Sequence, residues 1–210
     1  LWSKMDNEGL RNARRYVDKA RNGRLGYLHI KALTTKHLRK FEQEVYSRSF
    51  GKDGLVIDVR NNPGGFIADR LLSILCHPSH ARTRPRNGEI SYPHGYLPKV
   101  TYHKPIIVLC NQNSTSNAEI FSHAIKTLKR GKVVGVPTAG LVISMPKVEI
   151  LDAGTLAVPD RTWWPNGDKI DMDRQGAVPN VVIWPVAGDQ EKGIDRQLDK
   201  AIELLLEEVK

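Results

Sequence analysis

Ser116 stands between an apolar run, Pro105-Ile106-Ile107-Val108-Leu109-Cys110, and a helical pattern that opens Asn117-Ala118-Glu119-Ile120-Phe121. The run reads as a buried strand, so the serine falls at a strand-to-helix turn. An acyl-transfer enzyme puts its nucleophile at such a turn, because the first helical N–H groups and the positive end of the helix dipole face the hydroxyl. A second turn of related kind lies upstream. There the strand pattern Gly54-Leu55-Val56-Ile57-Asp58-Val59 runs into Arg60-Asn61-Asn62-Pro63-Gly64-Gly65, and a helix is expected from about Phe66. One turn would supply the nucleophile and the other a backbone donor for the oxyanion. Blander readings stand beside this one. Ser116-Asn117-Ala118-Glu119 also fits a capping box, in which the hydroxyl only satisfies a helical amide. Asn-Pro-Gly-Gly is also compatible with a plain tight turn.

Other chemistry-bearing residues form weaker patterns. His29 falls in a strand, and His123 lies two helical turns beyond Ser116, too far to act on its hydroxyl. His77, His80, His94 and His103 fall in or beside a long irregular stretch; one of them folding back as a general base is an open alternative. No spacing resembles a zinc signature, and neither metal nor cofactor is implied. Cys76 and Cys110 read as small buried hydrophobes, too few for a disulfide framework. Trp163-Trp164 would line a peptide groove or pack beneath the irregular 159–180 segment.

The elements that position these residues alternate. A basic helix is expected over 6–22, capped by Asp6 or Asn7, then a strand at 24–30, a helix from Thr34 or Thr35 to about Ser47, the strand at 54–59 and a helix over 66–76. Residues 77–104 lack a period. Beyond them come the strand at 105–110, the helix 117–129, and a strand at 132–136. The turn Pro137-Thr138-Ala139-Gly140 leads to two strands, at about 141–150 and 155–158, joined by an Asp152-Ala153-Gly154 hairpin turn. A short strand at 181–183 and a closing amphipathic helix from Ile194 to Val209 complete the pattern. Strands alternating with helices imply an α/β fold, a sheet layered with helices. Residues 1–22 read as an N-terminal linker helix and 23–210 as the core domain.

With 210 residues, 40% apolar and 26% charged, the chain can bury one large core. No apolar run is long enough to span a bilayer. The compartment stays open, with the cytoplasm favoured over periplasm or secretion. The net charge of +9 is concentrated in the first half. No nucleic-acid-reading motif accompanies it, so it reads as a solvated helix face and not as a nucleic-acid surface. The chain begins at Leu1 without an initiator Met, which reads as a piece of something longer.

Five segments in register resemble the tail-specific (C-terminal processing) and tricorn-type serine peptidases. They are Gly23–Ile30, Asp53–Gly65, Asn111–Phe121, Gly135–Gly140, and Gly176-Ala177-Val178-Pro179-Asn180 followed by Asp195-Arg196-Gln197-Leu198; the last is closer to the tricorn branch. The resemblance covers the chain from about Leu10 onward. It implies the sheet-and-helix fold shared by the Clp peptidase and crotonase-like proteins, and endopeptidase activity on unfolded or short peptides. It makes Ser116 the nucleophile, and it puts the oxyanion between the Asn117 N–H and that of Gly64 or Gly65. Two preorganised donors of this kind contribute roughly 3 kcal/mol or more each. The tail-specific branch has its lysine base where this chain has Leu141. The tricorn branch uses a histidine well upstream, before a PDZ-like domain, so the resemblance places the base outside this chain, in an upstream PDZ-like and base-bearing region. Asp173 occupies the position of a carboxylate, usually Glu, that polarises the site; its other reading is a solvated loop carboxylate. The expected partner is an extended peptide or unfolded protein, with a homo-oligomer as a further candidate. The alternatives are a degenerate peptidase fold acting as a peptide-binding or assembly module and, more remotely, a crotonase-like acyl-CoA enzyme.

Overall fold

A computed structural model of the protein describes residues 2–78, 84, 86, 101–166 and 171–209. His80 and His94, and most of the irregular 77–104 stretch, lie outside the described residues. Five short strands build one parallel sheet: β1 (Leu25–His29), β2 (Gly54–Asp58), β3 (Ile106–Cys110), β4 (Lys132–Gly135) and β7 (Val181–Val182), in that spatial order. Between them run α2 (Thr35–Ser49), α3 (Ala68–Leu75) and α4 (Asn117–Thr127). The chain opens with α1 (Trp2–Lys19) and closes with α5 (Arg196–Glu208). A separate two-stranded hairpin, β5 (Lys147–Ile150) and β6 (Gly154–Ala157), stands off this body.

The strands are apolar on both faces because both faces are covered, as a parallel sheet requires. Alternate residues divide between two cores. Leu28, Leu55, Ile57, Ile106 and Val108 pack with α2, α3 and α4, around Phe41 and Phe121. Leu25, Val56, Ile107, Leu109 and Val134 face the other way, onto Val17 of α1 and Leu198, Ala201 and Leu205 of α5. The C-terminal half of α1 is held further by Tyr16 Oη on Asp199 at 2.6 Å and by Lys52 on Asp18 at 2.9 Å.

The expected elements are present, with displaced ends. The helix α1 starts at Trp2, ahead of Asp6 and Asn7, so neither residue caps it. Residues 141–146 form no strand beyond a bridge from Ser144 to Arg161, and the hairpin turn is a 3-10 turn over Leu151–Ala153. The sheet layered with helices matches the α/β expectation.

Among the described residues, the ion pair of Asp58 and Arg60 lies inside the fold. Asp58, at the end of β2, is buried. It accepts from Tyr27 Oη at 2.6 Å, from the Arg60 N–H at 2.9 Å, and from the Arg60 guanidinium at 2.7–3.1 Å. Arg60 then reaches Asp195, the N-cap of α5, at 2.8 Å. Burial by itself raises the Asp58 pKa. The charge and hydrogen bonds of Arg60, with His29 and the Tyr27 hydroxyl, outweigh it and hold the carboxyl below its ordinary range. A depressed carboxyl contributes stability that is present above its unfolded pKa and is lost as pH falls through the folded one. Arg60→Met is therefore expected to cost about 3–5 kcal/mol at neutral pH by stranding a buried charge. It should also raise the Asp58 pKa, so the penalty read from urea unfolding should shrink as pH falls and the stranded carboxyl takes up a proton.

Candidate active site

Every turn at the carboxyl ends of β1 to β4 converges on one place, the edge where open parallel sheets bind ligands. The turn after β3 brings Ser116 there with φ 54° and ψ −122°. This backbone is rare for a residue with a side chain and costs about 1–3 kcal/mol, so the surroundings must enforce it. Two bonds do so: the Ser116 N–H donates to Glu119 Oε1 at 2.9 Å and to the Leu141 carbonyl at 3.0 Å.

The capping-box reading is met in form, and Glu119 is the residue that gives it meaning. The Glu119 N–H also reaches the Ser116 carbonyl at 2.9 Å, so that amide has a partner without the hydroxyl. Glu119 itself is fully buried. Beyond Ser116, its carboxylate accepts from Thr138 Oγ1 and the Gly140 N–H, both at 2.6 Å, and from the Leu141 N–H at 2.8 Å. One side chain thus fastens the serine turn to the turn after β4. Thr138 Oγ1 in turn accepts from the Ala177 N–H at 2.7 Å, and Gly140 O accepts from the Arg174 N–H at 2.6 Å, which brings in the 171–177 segment. Asp173 sits half-buried in that segment, its Oδ1 accepting from the Val142 N–H at 3.4 Å, next to the Leu141 that holds Ser116.

The turn after β2 is stitched to the serine turn from the other side. Buried Asn62 donates to the Ile30 carbonyl at 2.7 Å and accepts the Gly64 N–H at 2.8 Å; its main-chain oxygen takes the Thr115 N–H at 3.0 Å. Ser114 Oγ donates to the Val59 carbonyl at 2.8 Å, and Asn61 and Asn111 bond each other twice at 2.9 Å. Asn117 Oδ1 accepts the Ala68 N–H at 2.7 Å, which caps α3 from α4.

Gly64 lies against the serine: a Cβ there would stand 2.7 Å from Ser116 Cβ and 2.9 Å from Asn117 N, and φ is +87°. Its N–H is taken by Asn62. Gly65 (φ +144°) lies against the Leu33 carbonyl, and the bridge from Leu33 to Gly65 is made by the Gly64 carbonyl and the Phe66 N–H. Among the described residues, the N–H groups of Gly65 and Asn117 carry no hydrogen bond. Ser116, Gly64, Gly65 and Asn117 are therefore assembled together, with Asp173 on the neighbouring segment.

Other candidates stand elsewhere. His77 and His103 lie near Arg130, which bonds the Leu75 carbonyl and, at 2.9 Å, the Tyr102 and Lys104 carbonyls, all before β3 begins. The five residues of β3, about 17 Å of strand, separate that end from Ser116. His123 bonds Thr127 on the outside of α4. Burial, then the Asp58 charge, pushes the Cys110 thiol up to about 12, which removes it as a nucleophile at neutral pH. Trp163 packs partly buried against the core, whereas Trp164 is exposed. A cavity of ≈ 260 Å³ lies between Arg60 and the 185–197 segment, and Ser116 does not line it. Among the described residues no cluster of metal-ligating side chains occurs.

An apolar parallel sheet layered with helices, with a strained serine at its carboxyl edge, is the α/β architecture of the tricorn and S41 protease structures. Residues 24–183 match the model of peptidase family S41, and the chain belongs to that family. The chain is 32% identical to the tricorn protease of Thermoplasma acidophilum over 198 residues, and 30% identical to that of Thermoplasma volcanium over 195. These matches cover 94% and 92% of this chain and 18% of each relative, so it spans about a fifth of their length. The carboxyl-terminal-processing protease of Synechocystis sp. is more distant, 24% identical over 80% of this chain and 40% of that protein. Among solved structures, the tricorn protease superposes with a TM-score of 0.81 at 30% identity, over 94% of this chain and 19% of that one. The photosystem II D1 C-terminal processing protease gives 0.60 at 26%, over 79% and 44%.

Two outcomes follow from this geometry. Gly64→Ala should push Ser116 and the Asn117 amide off their positions. The rate at which the full-length polypeptide is labelled by a fluorophosphonate should fall at least about 100-fold. Glu119→Gln must turn its NH2 toward a main-chain donor in either orientation, leaving a buried group unsatisfied at about 1–3 kcal/mol. Calorimetry should record a fall in Tm of about 2–4 °C for each kcal/mol lost.

Proposed function

We propose that this chain is the catalytic core of a serine endopeptidase that cleaves extended or unfolded peptides. The observation that carries the reading is Ser116, held at positive φ beside two unengaged N–H groups, of Asn117 and Gly65, that come from separate crossovers. The hydroxyl attacks the peptide carbonyl, and the two amides receive the oxyanion that forms. Gly64, whose N–H is already spent on Asn62, keeps the space behind the serine open. Asp173 polarises the neighbouring segment through Val142. The histidine that takes the serine proton comes from an upstream, PDZ-like and base-bearing region of the same polypeptide. This part of the proposal rests on the tricorn proteases, relatives of which this chain spans about a fifth. The substrate lies as an added strand along the carboxyl edge of the sheet. In this reading the 1–22 helix joins the upstream region to the 23–210 core.

Leu141 favours a second reading, a peptide-binding module of degenerate peptidase fold. Both main-chain groups of Leu141 are spent on Glu119 and Ser116, and its side chain occupies the position of the lysine base in the tail-specific branch.

The test is fluorophosphonate labelling of the full-length polypeptide, together with turnover of an unfolded protein. The proposal predicts labelling and turnover that Ser116→Ala abolishes. It also predicts that the 210-residue chain alone labels far more slowly, since a serine without its base is a weak nucleophile. Peptide binding with neither labelling nor turnover would assign the chain to the second reading.

A further inference from the structure

The hairpin of β5 and β6 is exposed at every residue. A two-stranded hairpin is marginal in water by itself, and an unpaired strand edge is a template for another chain. Its two faces differ. Val148, Ile150, Leu156 and Val158 share one face, each 37–52% exposed. Lys147, Glu149, Thr155 and Ala157 share the other, by the two-residue period of a strand.

The ladder also fixes which main-chain groups are free. The Val158 N–H donates to the Pro146 carbonyl at 3.0 Å. The register pairs Val148 with Leu156 and Ile150 with Gly154. Hydrogen-bonded pairs alternate in an antiparallel ladder. Residues 146, 148 and 150 therefore face β6, and the N–H and C=O groups of Lys147 and Glu149 point to the open edge. Among the described residues nothing bonds them there.

We propose that this edge of β5 is a self-association surface, on which a second copy of the chain adds antiparallel about a two-fold axis through Val148. That axis places Lys147 opposite Glu149 of the second copy, and Glu149 opposite its Lys147. Both pairs exchange main-chain hydrogen bonds, and both join opposite charges, which stabilise when directly opposed on one face of a sheet. Two hairpins then become one four-stranded sheet, with the apolar face continuous across the axis. Edge charges of a single sign would block such pairing; opposite signs two residues apart select it. The edge of β6 offers no such match, since Thr155 would face Ala157.

The experiment is sedimentation equilibrium of the 210-residue chain over a concentration series. Its readout is mass, independent of whether Ser116 is a nucleophile. Wild type is expected to dimerise. Lys147→Glu and Glu149→Lys, each folded by circular dichroism, should weaken the dimer at least about ten-fold. The double variant Lys147→Glu/Glu149→Lys should restore it, which a folding defect would not do. In a Cys76→Ser background, Val148→Cys should cross-link to dimer mass on mild oxidation. A residue facing itself across a non-hydrogen-bonded pair has its Cα atoms about 4.5 Å apart, within disulfide reach. A wild-type chain that stays monomeric, single variants that associate as tightly as wild type, or a dimer in which Val148→Cys does not cross-link would each overturn the proposal.

Discussion

A buried carboxylate governs the arrangement. Glu119 is cut off from water, and an ionised carboxylate in that position is tolerable only when donors replace the water it has lost. Here four donors do so, from two turns of the chain: Ser116 after β3, and Thr138, Gly140 and Leu141 after β4. The same bonds that satisfy Glu119 therefore fix where Ser116 stands relative to the segment after β4. The strain at Ser116 is held by this closure, because its N–H has two acceptors only in the observed backbone state.

The opposite flank of the serine is fixed by asparagines. Asn62, Asn111 and Asn117 each bond a turn other than their own, and their amides do what a ladder of strands cannot do beyond the sheet edge. Among the described residues, the Gly65 and Asn117 N–H groups carry no hydrogen bond, whereas the Gly64 N–H is taken by Asn62. Beneath them, the buried pair of Asp58 and Arg60 ties the start of the glycine turn to α5 through Asp195. The site is thus braced by ionic contacts from below and by amide contacts from both sides.

The serine and the amides sit on backbone that one sheet can organise. Among the described residues, His29 ends β1 at the carboxyl edge of the sheet, His37 bonds Thr34 at the start of α2, His123 bonds Thr127 on α4, and His103 lies near Arg130 before β3 begins. The chain spans about a fifth of the length of its tricorn relatives.

Sequence alone determined the alternation of strands and helices, the burial of the 105–110 strand, and the two turns at which chemistry would occur. These rest on local periodicity and on residues whose backbone preferences are strong, such as the paired glycines and the serine before a helix. It also marked Glu119, but only as half of a capping box, since a capping box is defined within one turn. Tertiary structure alone decided which glycine N–H is spent and which is left. That depends on the Asn62 side chain, which is anchored on the Ile30 carbonyl of another turn while it accepts the Gly64 N–H, against two equally plausible glycines in the sequence. It decided too that Glu119 binds a turn some twenty residues away, and that the 141–150 pattern yields only four residues of strand. Such facts depend on which segments meet in space, and periodicity along the chain carries no record of that.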